Sequence, residues 1–217
     1  MNVGTSIRQR GPGRPRGRAA DRRARILETA TMLFGERGIA ATSISAVARA
    51  AHVTPALVHY YFGDREHLLD ALVDERLVPL ATSIEARMAA AGESPRELIR
   101  IFVGTLIEVV AANPWFPPLW VREVISDGGL LRERMMGQLA LPIAKRLRDR
   151  LVSAKKEGSL NCDIDPRLLV VSLIGLTIFP FATASIWRKN LGAADITPDI
   201  MARHALALLE RGLELPK

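Results

Sequence analysis

Arginine is the side chain whose density here is high enough to do chemistry by itself. Residues 8–18, RQRGPGRPRGR, carry five arginines and no acid. A guanidinium is a permanent planar cation whose fork of donors fits a phosphate. Residues 1–25 hold eight arginines against the single acid Asp21, a net charge of +7 that equals the formal charge of the whole chain. The remaining residues carry 22 bases and 22 acids and cancel. Charge segregated in this way marks an arm that binds nucleic acid or an acidic surface; the plain alternative is a solubilising tail. Gly11, Pro12, Gly13, Pro15 and Gly17 oppose both helix and strand, so residues 1–21 are expected to be a disordered basic arm.

Other chemistries find little support. Cys162 is the only cysteine, which excludes an internal disulfide and fits a reducing, cytoplasmic compartment. The four histidines are scattered, and neither His52 nor His59 has a thiolate or paired ligand beside it, so no metal is expected. A helical enzyme would need a nucleophile–base pair, a metal cluster or a phosphate-cradling loop. None is visible, GPGRPRGR has no strand before it, and no cofactor is expected. The basic start is not followed by an apolar stretch, unlike a secretory signal. Leu168–Trp187 is 20 residues without a charge, long enough to span a bilayer. Pro180 interrupts it and Ser172, Gly175, Thr177, Thr183 and Ser185 dilute it. The expected use is burial, with one face in a core and the other in a subunit interface, and no membrane partner.

The elements that must position these groups are all helical. A capping residue followed by proline occurs four times, at Thr54-Pro55, Ser94-Pro95, Asp165-Pro166 and Thr197-Pro198. In each, a side-chain oxygen can satisfy a first-turn amide, and proline at the first helical position loses no hydrogen bond. Glu97 three residues after Ser94 completes a capping box. Alternating runs with hairpin turns are nearly absent. Nine helices are expected, at 22–37, 44–51, 55–61, 65–90, 95–111, 115–126, 129–157, 166–190 and 198–212. Pro79 should kink or break the fourth.

Residues 42–62, TSISAVARAAHVTPALVHYYF, hold two short helices joined by a tight turn. Ile44, Val47, Ala48 and Ala51 give the first an apolar face, Val53 fills the turn, and Leu57 and Val58 anchor the second. Helices this short need tertiary support. The pattern is a helix-turn-helix, whose second helix enters the major groove of DNA.

The run TSISAVARAAHVTPALVHYYFGDREHLLDAL, with ILETATMLFGERGIAATSI ahead of it, resembles the DNA-binding signature of the tetracycline-repressor (TetR) family of bacterial regulators. The likeness covers residues 23–73. It implies phosphate contacts from Thr42 and Ser43, a recognition helix beginning at Thr54, close approach to DNA at Ala56, and phosphate contacts from His59, Tyr60 and Arg65. Pro55 stands where a polar residue is common, which removes one contact, and Ala46 replaces an acidic capping partner. GRPRGR further resembles an AT-hook, which implies that Arg14, Arg16 and Arg18 lie in an A·T-rich minor groove.

The resemblance implies three parts: the arm at 1–21, a DNA-binding domain at 22–73, and an effector-binding and dimerisation domain at 74–217. Candidate effector contacts are Phe102, Trp115, Trp120 and Phe179, with Glu108 and Arg122 as placed polar groups. Glu108, inside IFVGTLIEVVAA, is expected to be buried and to need a partner. A four-helix interface between two protomers is expected from 166–190 and 198–212, through Leu173, Leu176, Trp187, His204 and Leu208. The implied function is a dimeric regulator, a repressor of a palindromic operator, released by a small lipophilic effector. The alternatives are an architectural DNA binder without a defined operator, and the enzyme.

Overall fold

The computed structural model describes residues 16–213, and their side chains from 19 to 210. Among these residues there are ten helices and no strand. The first three are α1 (Arg16–Arg37), α2 (Ile44–Ala50) and α3 (Pro55–Phe62). The long α4 runs Arg65–Leu72, widens to a π-turn at Val73–Leu77 and continues as Val78–Ala89. Next are α5 (Pro95–Ala112) and α6, which is Phe116–Trp120 followed by a π-turn at Val121–Ile125. Then α7 joins Arg132–Arg134, a π-turn at Met135–Ala140 and Leu141–Lys156. The chain ends in α8 (Pro166–Ala182), α9 (Ala184–Asn190) and α10 (Pro198–Leu213).

All four cap–proline pairs start helices. Thr54 accepts from the Leu57 amide, Ser94 from Glu97, Asp165 from Arg167 and Thr197 from Ile200. α5 lies at the centre of the larger half, packed against α4, α7, α8 and α10, and buries Leu98, Phe102, Val103, Leu106 and Val110.

The structure corrects three expectations about elements. α1 begins at Arg16 rather than 22, so Arg16 and Arg18 stand on helical backbone. Arg14 lies outside the described residues. One glycine inside a helix costs about 1 kcal/mol. Here, propagation from a helix anchored by buried Ile26, Leu27, Ala30 and Phe34 outweighs it. Second, of the kink or break expected at Pro79 the break does not occur: α4 continues through it, as the expected range 65–90 had it. Proline lacks an N–H and its ring crowds the carbonyl four residues back, here Glu75, which lies in the widened π-turn. Third, 166–190 is two helices bent by 73°. The last turn of α8 leaves carbonyls that side chains reach: the Thr183 hydroxyl donates to Phe179 O (2.9 Å) and the Trp187 indole to Pro180 O (2.7 Å). No single helix among the described residues is long and apolar enough to cross a membrane.

Candidate nucleic-acid interface and effector cavity

α2 and α3 form the expected helix-turn-helix. His52 takes φ +55° in the turn, and the Val53 amide closes on Ala48 O at 2.9 Å. Small buried Ala48 and Ala51 let the helices approach, and Val47, Val58 and Phe62 tie them to the core. One open face then carries Thr54, Pro55, Ala56, His59 and Tyr60, all exposed, Tyr60 by 79%. Ser43 is exposed at the start of α2, its hydroxyl accepting from the Ala46 amide. His59 Nδ1 lies 2.5 Å from Gly63 O, which holds the ring at the C-terminal end of α3.

Two expected contacts are turned inward. Thr42 is 2% exposed and its hydroxyl donates to Gly38 O at 2.8 Å; it supports the turn before α2 and is not presented to a phosphate. The half-buried Arg65 donates to Ile39 O, so its guanidinium is engaged by the same turn. Two residues without a role in the sequence signature, Arg22 and Arg25, take up a place beside the recognition helix instead. These exposed side chains of α1 line a groove with His52, Thr54 and Leu57 at the start of α3. Their three-residue spacing sets them on one side of α1, a signal already present in the expected helix 22–37.

The larger half encloses a narrow apolar cleft between α4, α5, α6, α7 and α8. Phe102 and Trp120 line it as expected, with Leu77, Phe116, Met135, Leu139 and Val170 among their neighbours. No ionisable residue is in the lining. Four expected contacts are elsewhere. Glu108 is exposed and paired with Arg87 at 2.5 Å: the four-residue steps Arg100, Gly104, Glu108 define the outer stripe of α5. Trp115 packs on α1, where a Cβ on Gly35 would come within 2.7 Å of Trp115 O. Arg122 donates to Glu36 O at 2.6 Å. Phe179 is on the outer face of α8, 63% exposed.

The buried carboxyl group is instead Glu123, 6% exposed. Its Oε1 accepts from the Ile39 amide (2.8 Å) and its Oε2 from the Leu130 amide (3.1 Å). Ile39 is thereby held through its N–H by Glu123 and through its carbonyl by Arg65, while Arg122 holds Glu36. This clamp joins the loop before the helix-turn-helix to the π-turn that follows Trp120. A second tie crosses the same boundary: Arg23 forks onto Glu75 at 2.8 and 2.6 Å and lies 4.8 Å over the Phe62 ring. The hydrogen bond from Arg23 holds the Glu75 carboxyl below its ordinary range.

Among the expected dimer residues, Leu173 is fully buried within the protomer, packed in its own core. Leu176 and Trp187 are half-buried, and His204 and Leu208 are exposed. The uncovered apolar stripe is Leu168, Val171 and Phe179 on α8, with Ile186 on α9 and Leu208 on α10.

An open helix-turn-helix clamped to a helical domain with an apolar cavity is the design of a DNA-binding regulator. Two family models match the chain: bacterial regulatory proteins of the tetR family over 26–72, and the tetracyclin repressor-like C-terminal domain over 95–210. The chain belongs to the TetR family. It is 34% identical over 132 residues to the HTH-type transcriptional regulator BetI of Rhizobium meliloti, covering 60% of this chain and 63% of that one. The chain thus spans less than two thirds of that relative's length. It is 25% identical over 198 residues to the HTH-type transcriptional repressor KstR2 of Rhodococcus jostii, covering 90% and 92% of the two chains. The crystal structure of AibR in complex with isovaleryl coenzyme A and operator DNA superposes with a TM-score of 0.68. It shares 20% identity and covers 86% of this chain and 97% of that one. Regulators of this family bind DNA, form dimers and bind small molecules.

Proposed function

We propose that this regulator is a dimeric repressor that occupies a palindromic operator through α3 and is released by a small apolar effector bound between α4 and α8. The observation that carries the reading is the Glu123 clamp, because it ties the helix-turn-helix to the segment directly after a cavity residue, Trp120. KstR2 is named a repressor, and the AibR structure combines an acyl thioester with operator DNA. The two protomers meet through the outer faces of α8, α9 and α10, including Leu176, Trp187, His204 and Leu208. The parts divide as a basic arm, a DNA-binding domain to residue 73 and an effector domain beyond it.

Footprinting tests the reading. A repressor protects a short palindrome, and binding weakens as effector is added; broad protection without a palindrome belongs to an architectural protein. The coupling should be about 1–3 kcal/mol and reciprocal, DNA weakening the effector by the same factor.

The interface makes a finer test. Thr42→Val should lower stability by about 1 kcal/mol, because a buried hydroxyl bond disappears, and leave the salt dependence of DNA binding unchanged. Removing Arg22 and Arg25 together should flatten the log–log salt slope by roughly 0.9 for every phosphate that a protomer no longer neutralises. Equal slopes for wild type and the Arg22/Arg25 variant would exclude these residues from the interface. Thr54 and Ala56 are the positions at which substitution should change base preference. Replacing Arg14, Arg16 and Arg18 should erase any preference for A·T-rich flanks; equal weakening on A·T-rich and G·C-rich flanks would make the arm a sequence-blind tail.

A further inference from the structure

Trp120 combines two properties that do not ordinarily occur together. It lines the apolar cleft and is 6% exposed, yet its indole N–H has no hydrogen-bond partner among the described residues and almost no contact with solvent. Buried tryptophan N–H groups usually find an acceptor, and a buried donor left unpaired costs about 1–3 kcal/mol. No lining residue carries an ionisable side chain. A carboxylate in the cleft would therefore lie without a counter-charge, at a cost that a neutral carbonyl avoids.

The walls are also built to yield. Leu77 comes from one π-turn, Met135, Leu139 and Ala140 from another, and a third follows Trp120 directly. Wide turns of this kind recur at functional sites, and here two of them line one cavity and a third adjoins it.

We propose that the effector is a predominantly hydrocarbon molecule with one neutral carbonyl oxygen, a ketone, ester or thioester, that accepts the hydrogen bond of Trp120 Nε1–H. This rests on the cleft being the effector site. Specificity follows from the unpaired donor: a site that offers a buried N–H discriminates against analogues that leave it unpaired.

The test uses the full chain without DNA and three probes of equal length: 2-nonanone, nonane and nonanoate. Uniform ¹⁵N labelling gives one indole signal for each of Trp115, Trp120 and Trp187, assigned by replacing each with phenylalanine. Binding of 2-nonanone should move the Trp120 indole proton downfield, and nonane should not. Trp120→Phe should weaken 2-nonanone roughly three- to tenfold more than it weakens nonane. The wild-type indole shift serves equally if the variant folds poorly. Equal shifts with nonane, equal weakening of both probes in Trp120→Phe, or tightest binding by nonanoate would each overturn the proposal. Binding of none of the three would remove the cleft as the effector site. If 2-nonanone binds as stated but operator affinity does not change, the release mechanism falls and the assignment of the acceptor stands.

Discussion

Glu123→Ala should lower the free energy of unfolding by about 2–4 kcal/mol, because it strands the buried Ile39 amide, at about 1–3 kcal/mol, and also unpairs the partly buried Leu130 amide, which water can reach in part. Each of those amides donates to one carboxylate oxygen of a side chain that is 6% exposed. Glu123→Gln keeps a single acceptor oxygen and should cost about half as much. Urea midpoints at unchanged slope give the comparison, and amide exchange at Ile39 localises the effect. An unchanged midpoint for the alanine variant would mean that water fills the site and that the clamp does not stabilise the fold. Gly38 belongs to the same unit: its φ is +86°, and an added Cβ would lie 3.2 Å from Glu123 Oε1. Alanine there is penalised twice, by backbone conformation and by crowding.

Val171→Asp combined with Phe179→Asp should convert the protein to a monomer and weaken operator binding by about 10²–10⁴-fold, the gain that two linked half-sites provide. Both residues are on the outer face of α8 and are 65% and 63% exposed within one protomer. Their replacement should therefore leave helical content intact, which circular dichroism would verify. Charged side chains facing each other across a two-fold axis oppose association directly. Light scattering gives the mass. A retained dimer would place the interface on another surface.

Local signals survive translation into structure wherever a short stretch decides the outcome. Thr54, Ser94, Asp165 and Thr197 cap helices because oxygen followed by proline is a nearly self-sufficient instruction. The helix-turn-helix is legible for the same reason. The effector domain is harder, because which face of a helix is inside depends on neighbours. Glu108 looks buried amid apolar residues, yet Arg100 and Gly104 already mark its stripe as the outer one. Glu123 lies in a π-turn, where the 3.6-residue period that sorts inner from outer positions does not hold. The family resemblance points Arg65 and Thr42 at DNA, but the loop at Gly38–Ile39 engages both. Only the tertiary path of the chain brings that loop to them.

The three π-turns also bear on how this chain can vary in length. A π-turn closes on the fifth residue where an α-turn closes on the fourth, so each stretch holds one residue more than a regular helix needs. Deleting a single residue within 73–77, 121–125 or 135–140 would leave an unbroken α-helix, whereas the same deletion in the middle of α5 would rotate everything after it by about 100°. Homologous chains should accordingly differ from this one by single-residue gaps at those three places. Such gaps would sit inside helices rather than in the connecting loops, where length changes are normally found.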